Sequence, residues 1–239
     1  MLIPMIKQAI ILAGGLGTRL RSVVSELPKC MAPIAGKPFL HYVLAHLTKE
    51  GISDYVFSVG YKSGNILDYL NDTYGKNTDL RVQFSSENEP LGTGGAIQLA
   101  LEKVTEENVL ICNGDTLFKV NVEQLNHFHT QHKADCSLCL KPMKHFDRYG
   151  AVVTDQNNRI TSFEEKRFNE TGLINGGFYL LNAGNFRKET FPIKFSFEKD
   201  YLEKNVEKRK LYGLVQDEYF IDIGIPEDYS RAQSELLNY

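Results

Sequence analysis

Along the first 140 or so residues the apolar positions follow two rhythms that take turns. Ala9-Ile10-Ile11-Leu12 leaves no polar face for water, so 7–12 is predicted to be a buried strand. Phe39, Val43, Leu44 and Leu47 recur at helical spacing until Gly51 stops them, and 55–59 is the next apolar strand. Ile66, Leu67 and Leu70 make a second helical face, 80–84 alternates as a strand, Ile97, Leu101 and Val104 make a third helix, and 108–112 is again apolar. Such alternation predicts an α/β fold with a mixed, mostly parallel central sheet flanked by helices on both faces. Beyond Pro142 the rhythm changes to short strands and turns over 149–153, 160–163 and 173–181, read as mainly antiparallel, and Pro226 opens a last helix.

Composition narrows the class. With 239 residues, 42% hydrophobic and 24% charged, there is material for one sizeable core, so residues 1–239 are read as one domain. A net charge of −3 gives no general attraction to nucleic acid or anionic membranes, so an anionic partner must be small and held locally. No apolar run reaches 18 residues and no charged leader precedes the first strand, so a cytoplasmic protein is expected. Cys136 and Cys139 lie three apart on a predicted strand, which puts their sulfurs on opposite faces, and no second pair completes a zinc site. Reduced, partly buried thiols are expected. His127, His129 and His132 fall on one predicted helix with poor zinc geometry and are read as surface residues.

The candidate chemistry starts where the first strand breaks into Ala13-Gly14-Gly15-Leu16-Gly17-Thr18-Arg19. Glycines let backbone N–H groups approach an anion closely, and a guanidinium beside them suits phosphate oxygens. A dinucleotide-binding turn would need glycine where Leu20 stands, and the Gly-Lys-Ser/Thr of a Walker loop is absent. A plain tight turn is the remaining alternative. Lys29 and Lys37 lie among three prolines and are expected on an extended, exposed loop. The polar stretch 86–93 precedes a helix at the carboxyl edge of the sheet, either as ligand loop or as ordinary helix entry capped by Thr93. Asp115 closes a strand, either as a Mg²⁺ ligand or as a turn former. Asp222 interrupts the apolar run 220–224, where an unpaired charge would be costly and a metal would relieve the cost.

Taken in order, Leu12-Ala-Gly-Gly-Leu-Gly-Thr-Arg19-Leu20, Pro28-Lys29-Cys-Met-Ala-Pro33, Glu89-Pro-Leu-Gly-Thr-Gly-Gly-Ala96, Asn113-Gly-Asp115, Phe163-Glu-Glu-Lys166 and Asp222-Ile-Gly-Ile-Pro-Glu-Asp228 resemble the sugar-1-phosphate nucleotidyltransferases. The wording is closest to the D-glycero-α-D-manno-heptose 1-phosphate and mannose-1-phosphate guanylyltransferases. The resemblance implies a Rossmann-like nucleotidyltransferase domain with a nucleotide-binding half, about 1–140, and a sugar-binding half, about 141–239. It implies nucleotide contacts from Leu12, Ala13, Gly14, Gly15, Gly17, Thr18, Arg19, Lys29, Glu87, Gly92, Thr93 and Asp115. Sugar-phosphate contacts are implied for Gly150, Glu165, Lys166 and Asn175, and Mg²⁺ on Asp115 and Asp222. Arg19, Lys29, Asp115, Lys166 and Asp222 form the implied catalytic set.

The reaction so implied moves GMP from GTP, or another nucleoside monophosphate, onto a sugar 1-phosphate with release of pyrophosphate. The partners are small molecules, with neither nucleic acid nor membrane, and oligomeric state is not legible. A sugar phosphate is already largely ionised near neutrality, with a second pKa of about 6, so no general base is required. A silent nucleotide-sugar sensor of the same fold is the rival from another class, separated by turnover.

Overall fold

A computed structural model describes residues 4–15, 27–60, 63–75 and 79–237. Its strands in the first half of the chain are β1 (Gln8–Leu12), β2 (Pro33–Ile34), β3 (Lys37–Pro38), β4 (Asp54–Val59), β5 (Arg81–Ser86), β6 (Asn108–Asn113) and β7 (Thr116–Phe118). The remainder are β8 (Cys136–Phe146), β9 (Val152–Thr154), β10 (Ile160–Phe163), β11 (Asn169–Asn182), β12 (Leu211–Val215) and β13 (Phe220–Asp222). The helices are α1 (Phe39–Lys49), α2 (Ser63–Tyr74), α3 (Gly92–Ala100), α4 (Val122–His132), α5 (Ala183–Phe186) and α6 (Pro226–Glu235).

Seven strands form one sheet in the order β12-β8-β11-β6-β1-β4-β5. Only β11 pairs antiparallel with its neighbours, β6 and β8, while β6, β1, β4 and β5 are parallel and β12 is parallel to β8. The expected mostly parallel α/β sheet is therefore present. Alternation along the strands splits the core in two. Ala9, Ile11, Tyr55 and Phe57 pack with α1 and α2 on one face, and Ile10 and Val56 pack with Ile97 and Ala100 of α3 on the other. The α1 stripe is fully committed: Phe39, Val43, Leu44 and Leu47 are buried, each worth about 1.5–3 kcal/mol of transfer free energy.

Several local expectations are corrected. Lys29 does not sit on an extended exposed loop: Lys29–Met31 is a 3₁₀ turn, anchored by buried Cys30 and Met31. Pro142 does not end the pattern, since β8 runs through it. The proline is tolerated because β12 pairs with β8 only as far as Leu140, so beyond that point one side of β8 has no ladder to supply. Thr93 is not the cap of α3; Leu91 holds that position. His129 is buried rather than on the surface, facing Ser137 at 2.9 Å, because α4 lays this side against β8. His132 stacks on Tyr212, and His127 alone is exposed. The four cysteines are free and fully rather than partly buried, with Cys136 and Cys139 in the cores on opposite faces. Among the described residues no helix is long and apolar enough to cross a membrane.

Candidate active site

The chain leaves β1 toward β4 and β5 on one side, then crosses to β6 on the other, so the order reverses beside β1. Open α/β sheets bind ligands at that reversal, outside the carboxyl ends of the strands. A cleft of about 850 Å³ lies there, lined by Leu12 at the end of β1 and Ala13, Gly14 and Gly15 beyond it, by Ser58 of β4 and Gly60 beyond it, and by Asn113 at the end of β6 and Asp115 beyond it. Lys29, Glu87, Gly92, Thr93 and Gly224 are among the residues of its other walls. The turn is tied to its neighbours by Ala13 N–H to the Ser58 carbonyl and Gly114 N–H to the Leu12 carbonyl, both 2.9 Å. Gly17, Thr18 and Arg19 lie outside the described residues.

Three charged side chains meet on one side of the cleft. Lys29 Nζ is 2.5 Å from Asp115 Oδ2 and 3.3 Å from Asp222 Oδ1. The meeting is built by β7 and β13, which pair Thr116 with Asp222 directly after Asp115, and by Ile223 N–H donating to the Asp115 carbonyl at 3.2 Å. Burial pulls the Lys29 ammonium down, but the two carboxylates outweigh it and hold its pKa above the ordinary value. Burial pushes the Asp222 carboxyl up; Lys29 opposes this, and Asp115 adds to it. The site is thus short of positive charge, and extra cation or ligand-borne metal is favoured there.

The 86–93 loop is organised by Glu87. Its Oε2 accepts the Leu91 N–H at 3.0 Å, its Oε1 accepts the Ser58 hydroxyl at 3.3 Å, and its own N–H reaches the Val59 carbonyl at 2.9 Å. Thr93 lines the cleft, but its hydroxyl is committed, donating to Glu198 Oε2 at 2.5 Å and accepting the Phe197 N–H at 2.9 Å.

Gly150, Glu165, Lys166 and Asn175 do not line this cleft. Gly150 and Asn175 instead flank the bridge between Ala151 and Ile174, and Ala151 accepts the Glu164 N–H at 2.7 Å. Gly150 packs so closely that a methyl there would overlap the Glu164 carbonyl. Glu165 and Lys166 are exposed on the link between β10 and β11. Asn175 donates to the Tyr179 hydroxyl and accepts the Gly177 N–H, each at 3.0 Å.

Sequence reasoning missed Ser58, Asn113, Gly224, Tyr149 and Glu198. Ser58 looks like one hydroxyl in an apolar strand, and Gly224 like a strand terminator. Tyr149, whose hydroxyl points to Asp222 Oδ2 at 3.5 Å, carried a faint signal as the neighbour of Gly150.

Gly14, Gly15, Lys29 and Asp115 thus share one cleft, with Asp222 paired to Lys29. The Nucleotidyl transferase family profile matches residues 8–239. D-glycero-alpha-D-manno-heptose 1-phosphate guanylyltransferase from Aneurinibacillus thermoaerophilus is 53% identical over 97% of this chain and 99% of its own length. The enzyme of the same name from Campylobacter jejuni is 45% identical over 93% of this chain and 96% of its own. HddC from Yersinia pseudotuberculosis, in its crystal structure complexed with GMP-PN, superposes with a TM-score of 0.85 at 35% identity, covering 97% of this chain and all of that one. A site of this make-up on this sheet, with a profile match over nearly the whole length, makes the chain a member of the nucleotidyl transferase family.

Proposed function

We propose that this protein transfers GMP from GTP to a sugar 1-phosphate, D-glycero-α-D-manno-heptose 1-phosphate, giving the GDP-sugar and pyrophosphate. The observation that carries the chemistry is the convergence of Lys29, Asp115 and Asp222 beside the glycine turn at the strand-order reversal. The near-full-length similarity to heptose 1-phosphate guanylyltransferases supports the choice of substrates.

In this reading an oxygen of the sugar phosphate attacks the α-phosphorus, the bond to the β-phosphate oxygen breaks, and pyrophosphate leaves with that electron pair. The protein's task is charge neutralisation and in-line placement. Arg19 and Lys29 hold the triphosphate, with the backbone N–H groups of the glycine turn. Glu87 and the loop up to Gly92 border the guanine, whose N1–H and N2–H₂ donors need acceptors. Glu165 and Asn175 face the sugar, and Lys166 orients its phosphate.

The carboxylates of Asp115 and Asp222 fit Mg²⁺, which takes one or two protein oxygens and fills its remaining positions with phosphate and water. They already aim at one point, now taken by Lys29 Nζ, and among the described residues no larger group of His, Cys, Asp and Glu offers an all-protein cage. When bound, the metal supplies neutralisation of the phosphate oxygens. We place the reaction in the cytoplasm, where both substrates would be met.

Pyrophosphate release from the purified protein, with four NTPs crossed against heptose, mannose, glucose and N-acetylhexosamine 1-phosphates, tests the reading. GTP with the heptose phosphate is expected to be the best pair. Preference for mannose 1-phosphate would move the protein to the sister activity, and binding without turnover on every pair would make it a sensor.

A further inference from the structure

The Gly-Thr-Gly-Gly stretch at the start of α3 does more than border the cleft. Gly94 N–H donates to the Phe195 carbonyl and Phe195 N–H to the Leu91 carbonyl, both at 3.0 Å. Methyl groups on Gly94 or Gly95 would overlap the Phe195 ring or the Ile193 carbonyl, and Gly92 combines a φ of +73° with contact to the Phe195 carbonyl. The glycines therefore make room for residues 193–197, a segment from the far end of the chain. Thr93, in their midst, is gripped from the same segment by Glu198 Oε2 and the Phe197 N–H. Ser196 Oγ donates to that same Glu198 oxygen at 3.0 Å and fixes the carboxylate.

Glu198 belongs to a π-helical turn, Phe197–Leu202. Burial raises the Tyr179 phenol well above its ordinary pKa and the Glu198 charge adds to this, so the carboxylate stands close to the hydroxyl that takes the Asn175 amide. Five residues beyond Glu198, burial raises the Glu203 carboxyl and Glu165 adds to this, so the residue that ends the π-helical turn stands within reach of that carboxylate.

We infer that Glu198 is a positioning residue for the nucleotide: by holding Thr93 it sets the 87–93 loop against the cleft, so the base wall is built from the half of the chain that faces the sugar. The inference rests on the proposed guanylyltransferase reading. Loss of the Thr93–Glu198 bond would then weaken GTP before any sugar phosphate is present.

Wild type is first titrated calorimetrically with Mg²⁺ and each of the four NTPs, without sugar phosphate. Its preference reports on the proposed function by itself, and the preferred nucleotide is then used on the variants. Glu198→Ala and Thr93→Val are each expected to weaken it about tenfold or more, the loss typical of a hydrogen bond to a charged group. The double variant should lose little beyond either single change, since both remove one bond. Glu198→Gln, which keeps an acceptor but loses the charge, should fall between wild type and Glu198→Ala and is the variant measured if the larger changes fail to fold. Three results would overturn the inference: unchanged nucleotide affinity with a raised KM for the sugar 1-phosphate alone, a lowered melting temperature alone, or Glu198→Gln as impaired as Glu198→Ala. The first would make Glu198 a sugar contact, the second a purely structural clasp.

Discussion

Lys29 Nζ lies 2.5 Å from Asp115 Oδ2, an ion pair that joins the turn after the glycine loop to the end of β6. It also reaches Asp222 Oδ1, so a single ammonium is shared between the two carboxylates and leaves one negative charge uncompensated. The ammonium thereby keeps two half-buried negative charges from facing each other directly.

Removing that ammonium has a stability cost that an exposed loop lysine would not have. Lys29→Met is expected to lower the stability of the metal-free protein by about 1–3 kcal/mol, between the limits for exposed and fully buried pairs. At about 2–4 °C per kcal/mol for a chain of this size, the drop is readable by calorimetry. Added Mg²⁺ should recover part of it, and turnover should be nearly lost. An unchanged melting temperature without metal would show that the ion pair is not holding the site.

Asp222→Asn keeps the shape and removes the charge. Metal affinity of the nucleotide complex, measured by titration of Mn²⁺ in place of Mg²⁺, should fall at least about tenfold, and turnover with it. Near-normal activity with an unchanged Mg²⁺ requirement would remove Asp222 from the metal assignment.

Lys166 is exposed and lies outside the nucleotide cleft, so Lys166→Ala should leave the fold and the GTP affinity nearly unchanged. A charge-assisted bond to the sugar phosphate of about 1.5–3 kcal/mol predicts a loss of about tenfold or more in kcat/KM for that substrate. An equally large loss of GTP affinity would transfer Lys166 to the triphosphate.

His129 gives a pH signature unrelated to activity. Burial lowers its pKa to about 4, against the opposing charge of Asp135. A depressed folded-state pKa means that the neutral ring is favoured in the fold, so this stability is complete above the unfolded value of about 6.5 and is lost as pH falls toward 4. The full loss is about 3 kcal/mol at 1.36 kcal/mol per unit. His129→Gln, which cannot titrate, should flatten the denaturation midpoint between pH 6.5 and 4 relative to wild type. Parallel pH slopes for the two proteins would refute the assignment; His46, also lowered by burial, is common to both and cancels in the difference.

The amino-acid sequence alone determined the main strand–helix alternation of the first half: the apolar run of β1 and the helical stripe of α1 depend on neighbours a few residues away. From that alternation the parallel sheet followed, and with it the sheet edge where Leu12, Glu87 and Asp115 lie, because strand ends in such sheets share one rim. What only the tertiary structure decided is which distant residues meet there. Lys29 and Asp222 are 193 positions apart, and they meet where the register of β7 on β13 sets Asp222 beside Asp115, the other partner of Lys29, which no local pattern encodes. Thr93 reads as a helix cap until Glu198, 105 positions away, takes its hydroxyl. His129 reads as a surface residue because a polar ring on a polar helix has no local reason to be buried; it is buried because α4 turns that side onto β8, where Ser137 meets it. Periodicity carries local conformation, whereas burial and partner choice are set by non-local packing, and a polar side chain becomes part of a site only when that packing supplies its partner.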